Sequence, residues 1–265
     1  MREFFGFGGY QREPEGYFSW QHLTFVTFLM IIMVTLAVLL GRKNRDRDDN
    51  VKNRVLVWAA IMLDALELFK IVLCCFRAKD PMDWIYNLPL FLCSIQLIAL
   101  PLAAFSKGRL KEATHDFVFI FGILGAVLGT YFAGNNYGSY PVLCFDNVVS
   151  GLTHTIAGFA SLYIAFSGLV SMKKKNIWIT SVILLGFCAA AFAANKLVDY
   201  NYMFLVRGDG TPYDILYNLL DGHPIFYPLG VVALFVLYIA VFYAVYWTVS
   251  KMRAKKKPEA TVLVQ

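Results

Sequence analysis

Apolar residues along the chain are gathered into seven long segments, separated by shorter polar or charged stretches. The segments cover approximately residues 22–40, 55–76, 85–105, 116–134, 148–171, 177–195 and 225–249. Each approaches the roughly 20 residues that a helix needs to cross the hydrocarbon core of a bilayer. The pattern therefore predicts an all-α, polytopic membrane protein with seven transmembrane helices in a single domain over residues 1–265.

Composition supports this class and excludes others. Of the 265 residues, 58% are hydrophobic and 16% are charged, whereas soluble domains carry about 25% charged residues. An ordinary soluble domain, a disordered chain and a collagen-like fibre are excluded. The net charge of +6 is more typical of cytoplasmic loops than of nucleic-acid binding in such a protein. The five cysteines share no C-x-x-C spacing, so we expect no metal and no other cofactor.

The distribution of Lys and Arg predicts the orientation in the membrane. Seventeen of them lie in the 41–54, 106–115 and 172–176 loops and in the tail from residue 250, and six lie in the N-terminus and the remaining loops. Cytoplasmic loops carry the excess of positive charge. We therefore expect an outer N-terminal segment of 20 residues, a basic cytoplasmic C-terminal tail, and a multi-pass protein of the plasma (cell) membrane.

Three charged residues interrupt the second segment. Asp64, Glu67 and Lys70 fall on one face of a helix. A charged group in hydrocarbon costs about 2.5–3.5 kcal/mol on insertion scales, so such residues normally face the interior of a helix bundle. Two interpretations stay open, namely a Glu67–Lys70 ion pair that holds helices together and a polar wall of a binding site.

The third and fifth segments carry further polar side chains. Cys93 and Gln96 share a face of the third segment, and His154 lies well inside the fifth. At a rise of 1.5 Å per residue, Cys93 lies about 12 Å, His154 about 9 Å, Lys70 about 9 Å and Glu67 about 14 Å from the outer boundary. A lone cysteine is often just a small buried hydrophobe, but this convergence predicts a site in the outer half. We expect the Cys93 and His154 side chains to approach within about 3–5 Å.

Two other features have more than one interpretation. Gly125 and Gly129 form a G-x-x-x-G pattern, which predicts close helix packing or a groove for an acyl chain. Residues 196–224 are too apolar for a solvated linker and too polar for a span. They indicate a re-entrant or interfacial lid, or an ordinary interfacial cap.

The chain resembles a known family at Asn87-Leu-Pro-Leu-Phe-Leu-Cys93 and again at Asn201-Tyr-Met-Phe-Leu205. These motifs are similar to those of the YwaF-like integral membrane family, which includes the vertebrate transmembrane protein 164 group. The vertebrate members are regarded as phospholipid acyltransferases that use a Cys and a His. The resemblance implies that Cys93 is the nucleophile and His154 the base. Bacterial members often have His where this chain has Phe91.

Two functions from different classes remain open. The first is a membrane-embedded acyltransferase that acts on phospholipid or lysophospholipid through a thioester on Cys93. For this function we expect substrate binding or electrostatic support from Glu67, Lys70, Gln96, Asn201 and Tyr202. The second is a small-solute carrier or transporter subunit with a polar site in the outer half of the bundle. No inverted repeat supports the carrier, and no third residue visibly orients His154 for the enzyme. A structural or assembly subunit is a third option.

Overall fold

A computed structural model describes residues 2–256 of the chain, and the side chains of residues 2–252. The described residues are helical and contain no β-strand. The α-helices are α1 (Trp20–Asn44), α2 (Asp49–Ala78), α3 (Gln96–Phe105), α4 (Gly108–Tyr131), α5 (Gly134–Ser139), α6 (Phe145–Phe166), α7 (Asn176–Val198), α8 (Tyr213–Leu219) and α9 (Phe226–Lys256). They form two compact units, one ending at Ser171 and the other beginning at Met172. The predicted basic tail lies outside the described residues from position 257.

Five helical segments are long and apolar enough to cross a membrane. They are Trp20–Asn44, Gly108–Ser139, Phe145–Phe166, Asn176–Val198 and Phe226–Met252. This confirms the all-helical, multi-pass membrane class. Helix α2 is longer than most of these, with 30 residues, but Asp64, Glu67 and Lys70 interrupt its apolar surface.

The third predicted segment, 85–105, is not one continuous helix. A short 3₁₀ helix covers Asp83–Asn87, residues 88–95 are irregular, and α3 begins only at Gln96. The reason is Pro89, which has no N–H to donate and disfavours helical backbone at the residue before it. Leu88 accordingly has an extended ψ of 144°. The break places Cys93 in a non-helical stretch just ahead of α3.

The core of the first unit is built on the contact between α4 and α6. A Cβ at Gly122 would lie 2.7 Å from the Ala157 carbonyl oxygen and 2.8 Å from the Ser161 Cβ. Ser161 also donates a hydrogen bond of 2.7 Å to the Phe119 carbonyl. Because glycine has no side chain, the two helix backbones can approach closely at this position. The contact holds α6 and its side chains against α4.

The second unit is organised around asparagine side chains. Asn195 at the end of α7 accepts from the Tyr202 N–H at 2.6 Å and donates to the Tyr202 carbonyl at 3.0 Å. The Tyr227 hydroxyl at the start of α9 donates to the Phe204 carbonyl at 2.7 Å. Residues 196–224 therefore form a folded segment, with a 3₁₀ helix at Tyr202–Phe204 and helix α8, rather than an extended linker.

Candidate functional site

A cavity of about 230 Å³ lies in the first unit, between α2, α4, α6 and the irregular 88–95 stretch. Five of the residues expected to take part in a site line it together, and Phe91, Gly125 and Ser150 join them. The five are Glu67, Lys70, Cys93, Gln96 and His154. Non-helical backbone is tolerated within a membrane protein where it lines a cavity, as part of residues 88–95 does.

Cys93 and His154 face one another across this cavity. The thiol and the imidazole lie within hydrogen-bonding reach of one another, and each influences the charge of the other. Both side chains are half-buried among the surrounding helices. A thiol becomes an effective nucleophile when an adjacent base takes its proton, and these two groups are positioned for that transfer.

The backbone of α6 holds the His154 ring in one orientation. Its Nδ1 lies 2.7 Å from the carbonyl oxygen of Ser150, one turn earlier on the same helix. A carbonyl can only accept, so Nδ1 carries the proton and donates it there. The lone pair of the neutral ring is then on Nε2, which leaves Nε2 to accept from Cys93. The group that orients His154 is thus a main-chain oxygen, which residue types alone do not reveal.

Two glycines of α4 lie against this pair, and one of them makes room for it. A Cβ at Gly129 would overlap the Nε2 and Cδ2 atoms of the His154 ring. One turn earlier, a Cβ at Gly125 would lie 3.4 Å from the Cα and Cβ of Cys93, which is ordinary contact. Gly129 therefore leaves the space that the His154 ring occupies, while Gly122 lets the backbones of α4 and α6 approach closely.

Glu67 and Lys70 form an ion pair on the α2 side of the cavity. Glu67 is 8% exposed, as expected for a charge that avoids lipid, and Lys70 is partly exposed. Lys70 is also close enough to His154 for their charges to interact. The pair lies within α2 and lines the cavity, so it forms a polar wall and does not itself join α2 to another helix.

Gln96 is the first residue of α3 and is 1% exposed. Neither its amide nitrogen nor its amide oxygen has a hydrogen-bond partner among the described residues. The turn that leads into it is closed by Ser94, whose hydroxyl accepts from the Phe91 N–H at 3.0 Å. This turn holds Cys93 and Gln96 on the same side of the chain, toward the cavity.

Asn201 and Tyr202 belong to the second unit, where their contacts stabilise the segment before α8. Asn201 donates 2.7 Å to Asp209 and accepts 2.9 Å from the Val206 N–H. Tyr202 is fully buried. No group of three or more His, Cys, Asp or Glu side chains suited to a metal ion occurs in residues 2–252.

Comparisons with known proteins address the family of this chain. No curated protein and no solved structure matches it significantly. The model of the TMEM164 family matches residues 17–246. This range includes every residue of the cavity and most of both units. The match supports the transmembrane protein 164 part of the resemblance noted in the sequence and leaves the YwaF-like name unaddressed: the chain belongs to the TMEM164 family.

Proposed function

We propose that the chain is a membrane-embedded acyltransferase that moves acyl chains between glycerophospholipids through a thioester on Cys93. The observation that carries the proposal is the Cys93–His154 pair in a cavity, with His154 oriented through Nδ1 to leave Nε2 facing the thiol. A nucleophile, a base and a group that orients the base are the elements that covalent acyl transfer needs.

The reaction proceeds in two halves. His154 Nε2 takes the thiol proton, and the Cys93 sulfur attacks the ester carbonyl of a donor lipid. The C–S bond forms, the C–O bond breaks, and His154 returns the proton to the departing lysolipid oxygen. A hydroxyl of an acceptor lysolipid then attacks the thioester and gives its proton to His154. A new C–O bond forms, the C–S bond breaks, and the sulfur leaves as a thiolate that recovers the proton.

The size of the cavity limits which part of the lipid it holds. At about 230 Å³ it is smaller than typical sites for drug-sized ligands, which are about 300–1,000 Å³. A phospholipid therefore places only its reacting ester and the neighbouring atoms inside, while its chains stay in the bilayer. Lys70 lies at the cavity wall, where its charge favours the developing oxyanion.

The proposal includes the arrangement in the membrane. Helix α2, at about 1.5 Å per residue, is long enough to cross despite its charges, and its buried face carries Glu67. Residues 88–95 and α3 complete another crossing beside the cavity. With the five apolar spans this makes seven crossings, with the N-terminus outside, the C-terminus in the cytoplasm and the plasma membrane as location.

Trapping the acyl-enzyme tests the proposal. Purified protein in lipid nanodiscs is incubated with phosphatidylcholine labelled in its acyl chains, quenched, and treated with neutral hydroxylamine, which cleaves thioesters. We expect hydroxylamine-sensitive label on the wild type and on Cys188→Ala, a buried cysteine of the second unit, and none on Cys93→Ala. His154→Ala should slow transfer about 10²–10⁴-fold. Transfer at the wild-type rate by Cys93→Ala would refute the mechanism.

A small-solute carrier is the second candidate, and the Glu67–Lys70 pair at the cavity wall favours it. Paired charges inside a membrane often mark a solute or ion pathway. A carrier would retain solute uptake into vesicles after Cys93→Ala and lose it after Glu67→Gln. An acyltransferase would lose all lipid remodelling after Cys93→Ala, so the same two variants separate the candidates.

A further inference from the structure

The amide of Gln96 is a buried polar group of this cavity whose hydrogen bonds the described residues leave open. The side chain is 1% exposed and lines the cavity, yet its nitrogen and its oxygen have no partner among the described residues. Buried polar groups in proteins are nearly always paired, and exceptions point to a bound molecule or a functional role. Gln96 is therefore placed to bind something that enters the cavity.

We infer that Gln96 is the residue that recognises the acyl carbonyl, its amide N–H donating to the carbonyl oxygen of the ester that Cys93 attacks. The inference rests on the proposed acyltransferase function and specifies the chemical group the site selects, a carboxylic ester. An ether-linked chain at the same position has no carbonyl oxygen to accept this hydrogen bond.

The position of Gln96 relative to the nucleophile supports this assignment. Gln96 begins α3 three residues after Cys93, and both side chains line the cavity. The backbone N–H groups of Cys93 and Ser94 also lie near the Cys93 sulfur. An oxyanion formed at the carbon that this sulfur attacks would lie among these donors, and the start of α3 adds the positive end of a helix dipole.

The chemistry of the amide also predicts how its removal affects folding. Replacing an unpaired buried amide by an apolar side chain of similar volume removes a group whose desolvation is uncompensated. Gln96→Leu should therefore fold with an unchanged or higher melting temperature while it loses function. A glutamine with only a structural role would instead melt lower when replaced.

The test measures ligand preference without turnover. In a Cys93→Ala background, binding of a diacyl phosphatidylcholine is compared with that of its diether analogue. We expect the ester to bind better, by about tenfold for one hydrogen bond, and we expect Gln96→Leu to abolish the preference while Gln21→Leu, the same change outside the cavity, retains it. In the active protein, Gln96→Leu should slow acyl transfer about 10²–10³-fold.

The outcomes separate the two proposals. Equal binding of ester and ether by the Cys93→Ala protein, or an unchanged preference in Gln96→Leu, overturns the role of Gln96 even if the thioester is found. A missing thioester in the wild type overturns the acyltransferase, whereas an ester preference that depends on Gln96 would still establish the carbonyl site.

Discussion

At the scale of single residues, the absence of a side chain at Gly129 matters as much as the groups that react. Alanine at this position would place a methyl group on the His154 ring, and the interior of a packed bundle offers little space for the ring to move. We expect Gly129→Ala to displace the imidazole and to slow acyl transfer by about 10²-fold or more. The rate of thioester formation, measured in a rapid-quench experiment, checks this.

Gly125→Ala is the matched control, one turn away on the same helix. Its Cβ would make ordinary contact with Cys93 at 3.4 Å, and alanine is the better helix former by about 1 kcal/mol. We expect near wild-type transfer and an equal or higher melting temperature. If Gly129→Ala were as active as Gly125→Ala, the position of the His154 ring would not limit the reaction.

Residue types alone predicted part of this site. Depth along the expected helices assigned Cys93, His154 and Lys70 to one layer, and the three line one cavity. The carbonyl of Ser150 orients His154. The sequence does not predict this contact, because every residue has a backbone carbonyl and nothing in the residue types marks the one that is used. The open hydrogen bonds of Gln96 depend on which helices surround it, and a single sequence does not specify that packing.

At the scale of elements, an ionic cluster attaches the N-terminal segment to the ends of α2 and α6. Arg77 Nη1 and Nη2 donate to the Asp146 carboxylate at 2.6 and 2.7 Å. Tyr10 donates to the same carboxylate and accepts from Arg77. Burial and the nearby Asp146 charge raise the pKa of Tyr10, so its hydroxyl stays protonated at neutral pH and remains a donor.

We expect Asp146→Asn to loosen the N-terminal segment while the helices stay folded. Removing one partner of a largely buried ion pair leaves the Arg77 charge uncompensated, which costs about 3 kcal/mol. Trypsin cleavage after Arg12 should become at least about tenfold faster, since it requires local opening of this segment. Asp46→Asn, the same change at an exposed aspartate far from Arg12 in the sequence, should cleave after Arg12 at the wild-type rate. Equal cleavage of the two variants would mean that the cluster does not hold the segment.

The hydropathy pattern predicted the long apolar helices but not the backbone of residues 85–105 and 196–224, and the reasons are local. Hydropathy averages over a whole span, so it located the apolar helices but treated residues 85–105 as one of them. The backbone there is instead set by Pro89 and by the turn that Ser94 closes onto Phe91. The segment 196–224 shows the same limit, since the Asn195 and Asn201 hydrogen bonds that fold it are not periodic and leave no pattern in the sequence.

At the scale of the whole molecule, the proposed orientation gives both charge and chemistry a direction across the membrane. The ion pair Glu67–Lys70 and the Cys93–His154 pair belong to one cavity, and depth along α2 and α6 assigns that cavity to the half nearer the N-terminal segment. In the proposed orientation, most Lys and Arg residues belong to the loops on the other side. The donor and acceptor lipids of the proposed reaction should therefore come from the outer leaflet.

Cysteine labelling on intact cells tests this orientation directly. Gln11 and Asp46 are both exposed and lie beyond opposite ends of α1, and replacing either by cysteine leaves the number of Lys and Arg unchanged. We expect a membrane-impermeant maleimide to label Gln11→Cys on intact cells and to label Asp46→Cys only after permeabilisation, because the loop that contains Asp46 carries six of the positive charges. The unsubstituted protein corrects for its five native cysteines. The reverse pattern would place the cavity in the cytoplasmic half, and the acyl donor would then have to come from the inner leaflet.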